Sequence, residues 1–112
     1  MRKPGVSVRS VLSAALIREL ALPSNLRYGM AIHERDGVEF ITYSPAEVVA
    51  WVGGLKGSVA EGGSQRRRTR LFVTPDGLAW HCSGNPRKHQ VFCKHCVALA
   101  LTILGRTARS RE

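Results

Sequence analysis

The sequence predicts a small α+β domain that has an N-terminal helical segment, a small antiparallel sheet and a C-terminal β-β-α unit. Three observations predict this class. Apolar residues near the N-terminus recur at three- and four-residue spacing, which is typical of a helix buried along one side. Short segments rich in β-branched and aromatic residues follow, separated by turn residues. A second apolar stripe of helical period comes after a strong hairpin signal, so a helix should close the fold.

The N-terminal helical segment is predicted over residues 7–22, because the apolar spacing continues until Pro23 ends it. Ser24 is then suited to cap a second short helix. Gly29 weakens the helical signal of this segment, since glycine lowers helix stability. Both helices are interpreted as ordinary core-packing elements.

The sheet is predicted to begin with two strands, Val38–Tyr43 and Glu47–Val52, separated by a serine and a proline. Residues 53–64 are rich in glycine and serine, which predicts a mobile loop. A second hairpin follows, with strands over 66–73 and 78–82. Its turn, Thr74–Gly77, has proline at the second position and glycine at the fourth.

The last helix is predicted from Cys93 to Leu104, with Gly105 as its stop signal. The expected organisation is a basic N-terminal arm over residues 1–10, one domain over 11–104 and a disordered tail over 105–112. A chain of 112 residues has little core to spare, so a structural metal would contribute to stability more than it does in a large enzyme.

Three cysteines, Cys82, Cys93 and Cys96, lie close to histidines in one short stretch. An odd, clustered set of this kind favours metal coordination in a reducing compartment over a disulfide framework. Zinc binds thiolate sulfur and neutral imidazole nitrogen, with four ligands in structural sites. Cys93 and His95 stand at the start of the last helix, and Cys82 reaches them from the end of the hairpin. The sequence therefore predicts three donors of one zinc site.

Segments 80–86 and 92–99, which read WHCSGNP and FCKHCVAL, resemble the SWIM-type zinc finger, and in particular small stand-alone SWIM proteins of actinobacteria. In that family a Cys-x-Cys pair, a variable spacer and a Cys-x-His pair hold one zinc ion in a short β-β-α unit. The resemblance implies a zinc-finger-like unit over residues 70–104. It makes Cys82, Cys93 and His95 the matching ligands. The family's second cysteine would stand at position 84, where this chain has glycine, so one ligand is missing.

The fourth ligand position has several candidates. His89 is the preferred substitute, because it lies in the spacer from which a flexible loop could fold its imidazole over the ion. Cys96 lies on a neighbouring helical face, where burial competes with metal binding. His81 points away from Cys82 on a regular strand. In the alternative reading, a metal-free degenerate SWIM domain acts as a protein-interaction adaptor and the cysteines are small buried residues.

Positive charge is concentrated in the second half of the chain, whose overall formal charge is +9. Residues 11–65 have a balance of −2, whereas residues 66–94 hold seven basic and one acidic side chain, a balance of +6. Such a field attracts polyanions, although it also serves simply to keep a small domain in solution. Nucleic acid, with DNA favoured, is therefore the first predicted partner, and an acidic protein surface is the second. The predicted nucleic-acid contacts are Arg66, Arg67, Arg68, Arg70, Arg87, Lys88 and Lys94.

Other functional classes are disfavoured by what the sequence lacks. The carboxylate nearest in sequence to the predicted ligands is Asp76, a turn residue, so metal-assisted hydrolysis would have no general acid or base and the chain is not expected to be an enzyme. No glycine-rich phosphate loop or catalytic series indicates a small-molecule substrate. No apolar run approaches the roughly 20 residues of a membrane span, and no cleavable leader follows the basic start, so we expect a cytoplasmic protein that does not enter the membrane.

Overall fold

Helices and strands occur in separate blocks along the chain. The computed structural model describes residues 7–53, 66–83 and 91–110. Three helices come first, four strands follow, and one long helix closes the described fold. These elements are α1 (Val8–Val11), α2 (Ala14–Leu20), α3 (Pro23–Glu34), β1 (Val38–Tyr43), β2 (Glu47–Val52), β3 (Arg67–Thr74), β4 (Gly77–Cys82) and α4 (Lys94–Ser110). The order confirms the predicted α+β class.

The four strands form one antiparallel sheet in the order β1-β2-β3-β4, so each strand pairs with its neighbour in sequence. The predicted strands Val38–Tyr43 and Glu47–Val52 are confirmed. The predicted second hairpin is confirmed as well. Its turn requires glycine at its last position, because Gly77 has φ of +118°, in a region that residues with a side chain rarely adopt.

One face of the sheet is buried against the helices. Strand alternation places Val48, Ala50, Leu71 and Cys82 on this face, and each is 1% exposed or less. The same apolar cluster includes Val8, Leu12, Ile17, Phe92, Val97, Leu99 and Ile103 from the helical layer and the segment that leads into α4. Among the described residues, no helix is both long and apolar enough to cross a membrane.

The N-terminal helical segment differs from the single helix predicted over residues 7–22. It consists of α1 and α2, which are separated by Leu12 and Ser13. Ser7 and Ser13 are the N-cap residues, and each side chain accepts a hydrogen bond from the backbone N–H three residues further on. Serine is a preferred N-cap, so Ser13 starts a new helix where the apolar spacing alone indicates no break.

Pro23 starts α3 instead of only ending the helix before it. The N-cap residue is Leu22, which makes no side-chain capping hydrogen bond, so the predicted cap at Ser24 is wrong. Proline suits the first helical position because its missing N–H would have no partner there in any case.

Helix α4 continues past its predicted end. The backbone is helical through Gly105 to Ser110, so the predicted stop at Gly105 is wrong. A glycine inside a helix costs about 1 kcal/mol relative to alanine. The packing of α4 in the core offsets that cost.

Helix α4 packs directly against α3 at Gly29, which is buried. A Cβ atom at this position would stand 2.5 Å from both Cβ and Cγ1 of Val97, and 2.9 Å from the carbonyl oxygen of Lys94. Real Cβ atoms do not come this near to other heavy atoms, so glycine is what permits the approach. The contact fixes the first turn of α4 against α3.

Replacing Gly29 with alanine tests this contact. We expect Gly29→Ala to destabilise the protein by about 1–3 kcal/mol, because overpacking against Val97 outweighs the gain of about 1 kcal/mol in helix propensity. Gly105→Ala is the matched control, since its Cβ would meet only His33 Cε1 at 3.8 Å among the described residues, an ordinary contact, and the change should be neutral or stabilising. Urea unfolding of both variants makes the comparison. A Gly29→Ala protein as stable as the wild type would contradict the close approach.

Candidate metal centre

The end of β4 and the start of α4 bring together the donor side chains of the candidate site. Cys82 is the last residue of β4 and points to the buried face of the sheet. Cys93 directly precedes α4, and its carbonyl accepts the first helical hydrogen bond, from the N–H of Val97 at 2.9 Å. His95 lies in the first turn. A strand end and a helix start therefore supply the three donors, as the sequence predicts.

The two sulfur–nitrogen separations in the cluster fit the edges of a zinc tetrahedron. Nδ1 of His95 lies 3.6 Å from Sγ of Cys82 and 3.7 Å from Sγ of Cys93. All three donor atoms lie within 4.8 Å of one another. Bond lengths of about 2.3 Å for Zn–S and 2.0–2.1 Å for Zn–N at tetrahedral angles require sulfur and nitrogen to be about 3.5 Å apart. One ion can therefore contact all three donors with little movement.

Two further contacts hold the strand end and the helix start in place. Trp80 and Phe92 form an edge-to-face pair, with ring centroids 5.0 Å apart, two residues before Cys82 and one before Cys93. The hydroxyl of Thr69, a fully buried residue, lies 3.8 Å from Sγ of Cys82. Aromatic pairs of this geometry contribute about 0.5–1.5 kcal/mol beyond the area that they bury. The backbone positions of Cys82 and Cys93 are therefore held by side-chain packing next to the site.

The sequence analysis did not predict the contact of Thr69 with Cys82, although the register of the second hairpin indicates it. The two residues are direct partners in the β3–β4 hairpin, and the four-residue turn at 74–77 fixes that register. With Thr74 opposite Gly77, each step away from the turn pairs the next two residues, and the fifth step pairs Thr69 with Cys82. Thr69 is the one polar residue among the buried residues of the described chain.

Cys96 lies beside the cluster, and the environments of Cys93 and Cys96 are opposite in character. Their sulfurs are 3.9 Å apart. Hydrogen bonds from the thiols of Cys82 and then Cys96 lower the pKa of Cys93, even though partial burial opposes the shift. The Cys93 contact and complete burial raise the pKa of Cys96. These opposite shifts favour the thiolate at Cys93 over the thiolate at Cys96.

The remaining predicted site residues do not lie together in the structure. Residues 84–90, which include Gly84, Arg87, Lys88 and His89, lie outside the described residues. Arg66, Arg68 and Arg70 lie on the face of the sheet that points away from the core, whereas Arg67 alternates to the other face. The ammonium nitrogen of Lys94 is 5.7 Å from the centroid of the Tyr28 ring. The described members of the predicted nucleic-acid set therefore do not form one continuous patch.

The candidate ligand cluster contains no Asp or Glu from the described part of the chain. No protein-family model matches this chain, and neither a curated protein nor a solved structure matches it.

Cysteine alkylation tests the assignment of charge within the cluster. In metal-free protein at neutral pH we expect Cys93 to react with iodoacetamide roughly tenfold or more faster than Cys96, because a lowered pKa leaves Cys93 as the thiolate and partial exposure admits the reagent. Mass spectrometry of the alkylated peptides gives the two rates. In urea the difference should disappear. Equal rates in the folded protein would show that the two sulfurs have similar environments.

Proposed function

We propose that this protein is a zinc-binding module in which Cys82, Cys93 and His95 hold one ion, and that the module binds nucleic acid. The observation that carries the metal proposal is the convergence of two sulfurs on one imidazole nitrogen, with both sulfur–nitrogen separations close to those of a zinc tetrahedron. Thiolate and imidazole together favour zinc over calcium or magnesium, which prefer oxygen ligands.

The metal has a structural role in this proposal. Its ligands come from β4 and from the start of α4, so one ion ties the last hairpin to the last helix. Catalytic zinc sites need an acid or base near an open coordination position, and the cluster has no carboxylate among the described residues. Because the unfolded chain does not present the site, the free energy of metal binding adds to the free energy of unfolding. A binding module, and not an enzyme, is the function that we assign.

The proposal includes the SWIM-type assignment and a fourth ligand. The order of β3, β4 and α4, with Cys82 at the strand end and Cys93 and His95 at the helix start, supports the β-β-α unit that the resemblance implies. We assign the fourth position to His89, because Gly84 offers no donor. Two thiolate ligands also require a reducing compartment, which supports a cytoplasmic location.

The nucleic-acid part of the proposal is supported by the arginines. Three of the seven basic residues predicted to contact nucleic acid, Arg66, Arg68 and Arg70, project from one face of β3 and the residue before it. Arginine binds phosphate through paired hydrogen bonds, and such contacts give affinity without reading the base sequence. If the cluster binds no metal, the alternative is a metal-free adaptor whose partner is another protein.

Metal analysis of single-site variants tests the zinc proposal. We expect freshly purified protein to contain one zinc per chain, and Cys82→Ala, Cys93→Ala and His95→Ala to lose most of it, because each removes a donor from the cluster. Cys96→Ala is the matched control and should keep its zinc, since Cys96 is a buried neighbour of the ligand set. Elemental analysis before and after chelator treatment gives the stoichiometry. A wild-type protein without metal, or a zinc-free Cys96→Ala protein, would refute the ligand assignment.

Restoring the missing cysteine provides a test in the opposite direction. We expect Gly84→Cys to hold zinc at least about tenfold more tightly than the wild type, because a third thiolate replaces a weaker fourth ligand. Competition with a chromogenic chelator measures the affinity. His89→Ala should weaken binding in the wild type and have little effect once Gly84→Cys is present. Unchanged affinity in Gly84→Cys would argue against the SWIM-type geometry.

A further inference from the structure

The face of the sheet that points away from the helices carries aromatic and arginine side chains. Strand alternation places them there, because the residues between them point into the core. Trp51 is 38% exposed and Ile41 is 46% exposed, which leaves two large apolar side chains in solvent. The charged and aromatic members of this surface, called here the outer face, are Glu39, Glu47, Trp51, Arg66, Arg68, Arg70, Phe72 and His81.

Trp51 and Arg68 are direct partners across β2 and β3 on the outer face. Residues in this relation have Cβ atoms about 4.5–5.5 Å apart, so the indole and the guanidinium extend from neighbouring points. Arg68 is exposed and has no ion-pair partner among the described residues. A nucleotide combines a flat base with a charged phosphate. This pair offers a surface for the first and a cation for the second.

A second stacking surface lies further along β3. The guanidinium carbon of Arg70 is 3.9 Å from the centroid of the Phe72 ring, and Nε of Arg70 donates a hydrogen bond to Glu47. These two contacts hold the guanidinium in one place. Unpaired bases stack on aromatic rings and on guanidinium planes. Phe72 is four residues from Arg68, about 13 Å along the strand, so more than one nucleotide could be accommodated.

We propose that the outer face binds single-stranded nucleic acid, with a base stacked on Trp51 and a phosphate on Arg68. The inference rests on the nucleic-acid part of the proposed function, and it specifies the surface and the strandedness of the ligand. Arg66 pairs with Glu39 and Arg70 pairs with Glu47, which leaves Arg68 as the cation free to meet a phosphate on this face of the described chain.

Single strands fit the outer face better than a duplex or an acidic protein. In a duplex the bases stack on one another, so they cannot stack on an exposed indole. The outer face also belongs to a four-stranded sheet, which is wider than the single helix or two-stranded ribbon that the major groove admits. An acidic protein segment would use the arginines but would not need an aromatic surface. Dependence on Trp51 therefore separates the nucleic acid from the acidic protein.

Fluorescence anisotropy with labelled oligothymidylate and oligouridylate tests the proposal on the zinc-loaded full chain. We expect Trp51→Ala to weaken binding roughly fivefold to a hundredfold, the effect of losing one stacked base. Arg68→Gln should weaken binding and lower the salt dependence by about one phosphate contact. Trp51→Phe keeps an aromatic ring and should stay within roughly fivefold of the wild type. The two oligonucleotides compare DNA with RNA, and tight binding of either supports the proposal.

Two further variants sharpen the test. Glu39→Gln should tighten binding, because Glu39 is the cross-strand partner of Trp51 and repels a phosphate placed there. Tyr28→Ala removes an aromatic residue that is 57% exposed on α3 beside Lys94, and it should leave the affinity unchanged.

Several results would overturn the inference. They are wild-type affinity in both Trp51→Ala and Arg68→Gln, duplex binding as tight as single-strand binding, or loss of binding in Tyr28→Ala with Trp51→Ala unaffected. If the wild-type protein still binds an oligonucleotide, such a result refutes the outer face as the binding surface and leaves the nucleic-acid part of the proposed function standing. If the protein binds an acidic polypeptide and no oligonucleotide, both this inference and the nucleic-acid part of the proposed function are refuted. The zinc content of the same sample tests the metal proposal separately.

Discussion

The contact between the end of β4 and the first turn of α4 is the constraint on which the fold and the metal proposal both depend. It is held from two sides. The Trp80–Phe92 pair joins the two segments within the core, and the close approach of Gly29 to Val97 fixes the start of α4 against α3. Because apolar packing sets these positions, an ion would meet donors that are already near their final places. Preorganisation of this kind lowers the cost of ordering that binding otherwise carries.

In the metal proposal, this arrangement makes an ion a reinforcement of the fold and not its origin. The buried cluster joins every strand except β1 with α1, α2 and α4, and it extends well beyond the candidate ligands. In the smallest zinc-dependent units the core is too small to fold without the ion. In this chain Cys82 and Cys96 are fully buried within the apolar cluster. A bound ion would therefore add stability at one corner of a domain whose apolar core already accounts for its shape.

The sequence is most informative where local signals are strong. The hairpin turn at 74–77 fixes the register of β3 and β4, and alternation then places Cys82 on the core face beside Trp80. Cys93 and His95 follow from their position before an apolar stripe. Helix boundaries are less predictable: Ser13 and Pro23 each start a helix, and Gly105 lies inside one. Capping residues, proline and glycine have more than one compatible position, and tertiary packing selects among them.

The outer face could not be inferred from spacing alone, because Arg66–Arg70 reads as one basic run until alternate residues are assigned to opposite faces of a strand. Once β3 is paired, Arg67 leaves the set and Trp51 and Phe72 join it. Val49, which also lies on the outer face, is only 3% exposed, so the longer side chains around it cover it. The ligand donors lie on the core face and the free arginine on the other. If both proposals hold, metal binding and nucleic-acid binding can change independently, since the Arg68 side chain lies on the opposite face of β3 from the ligand donors.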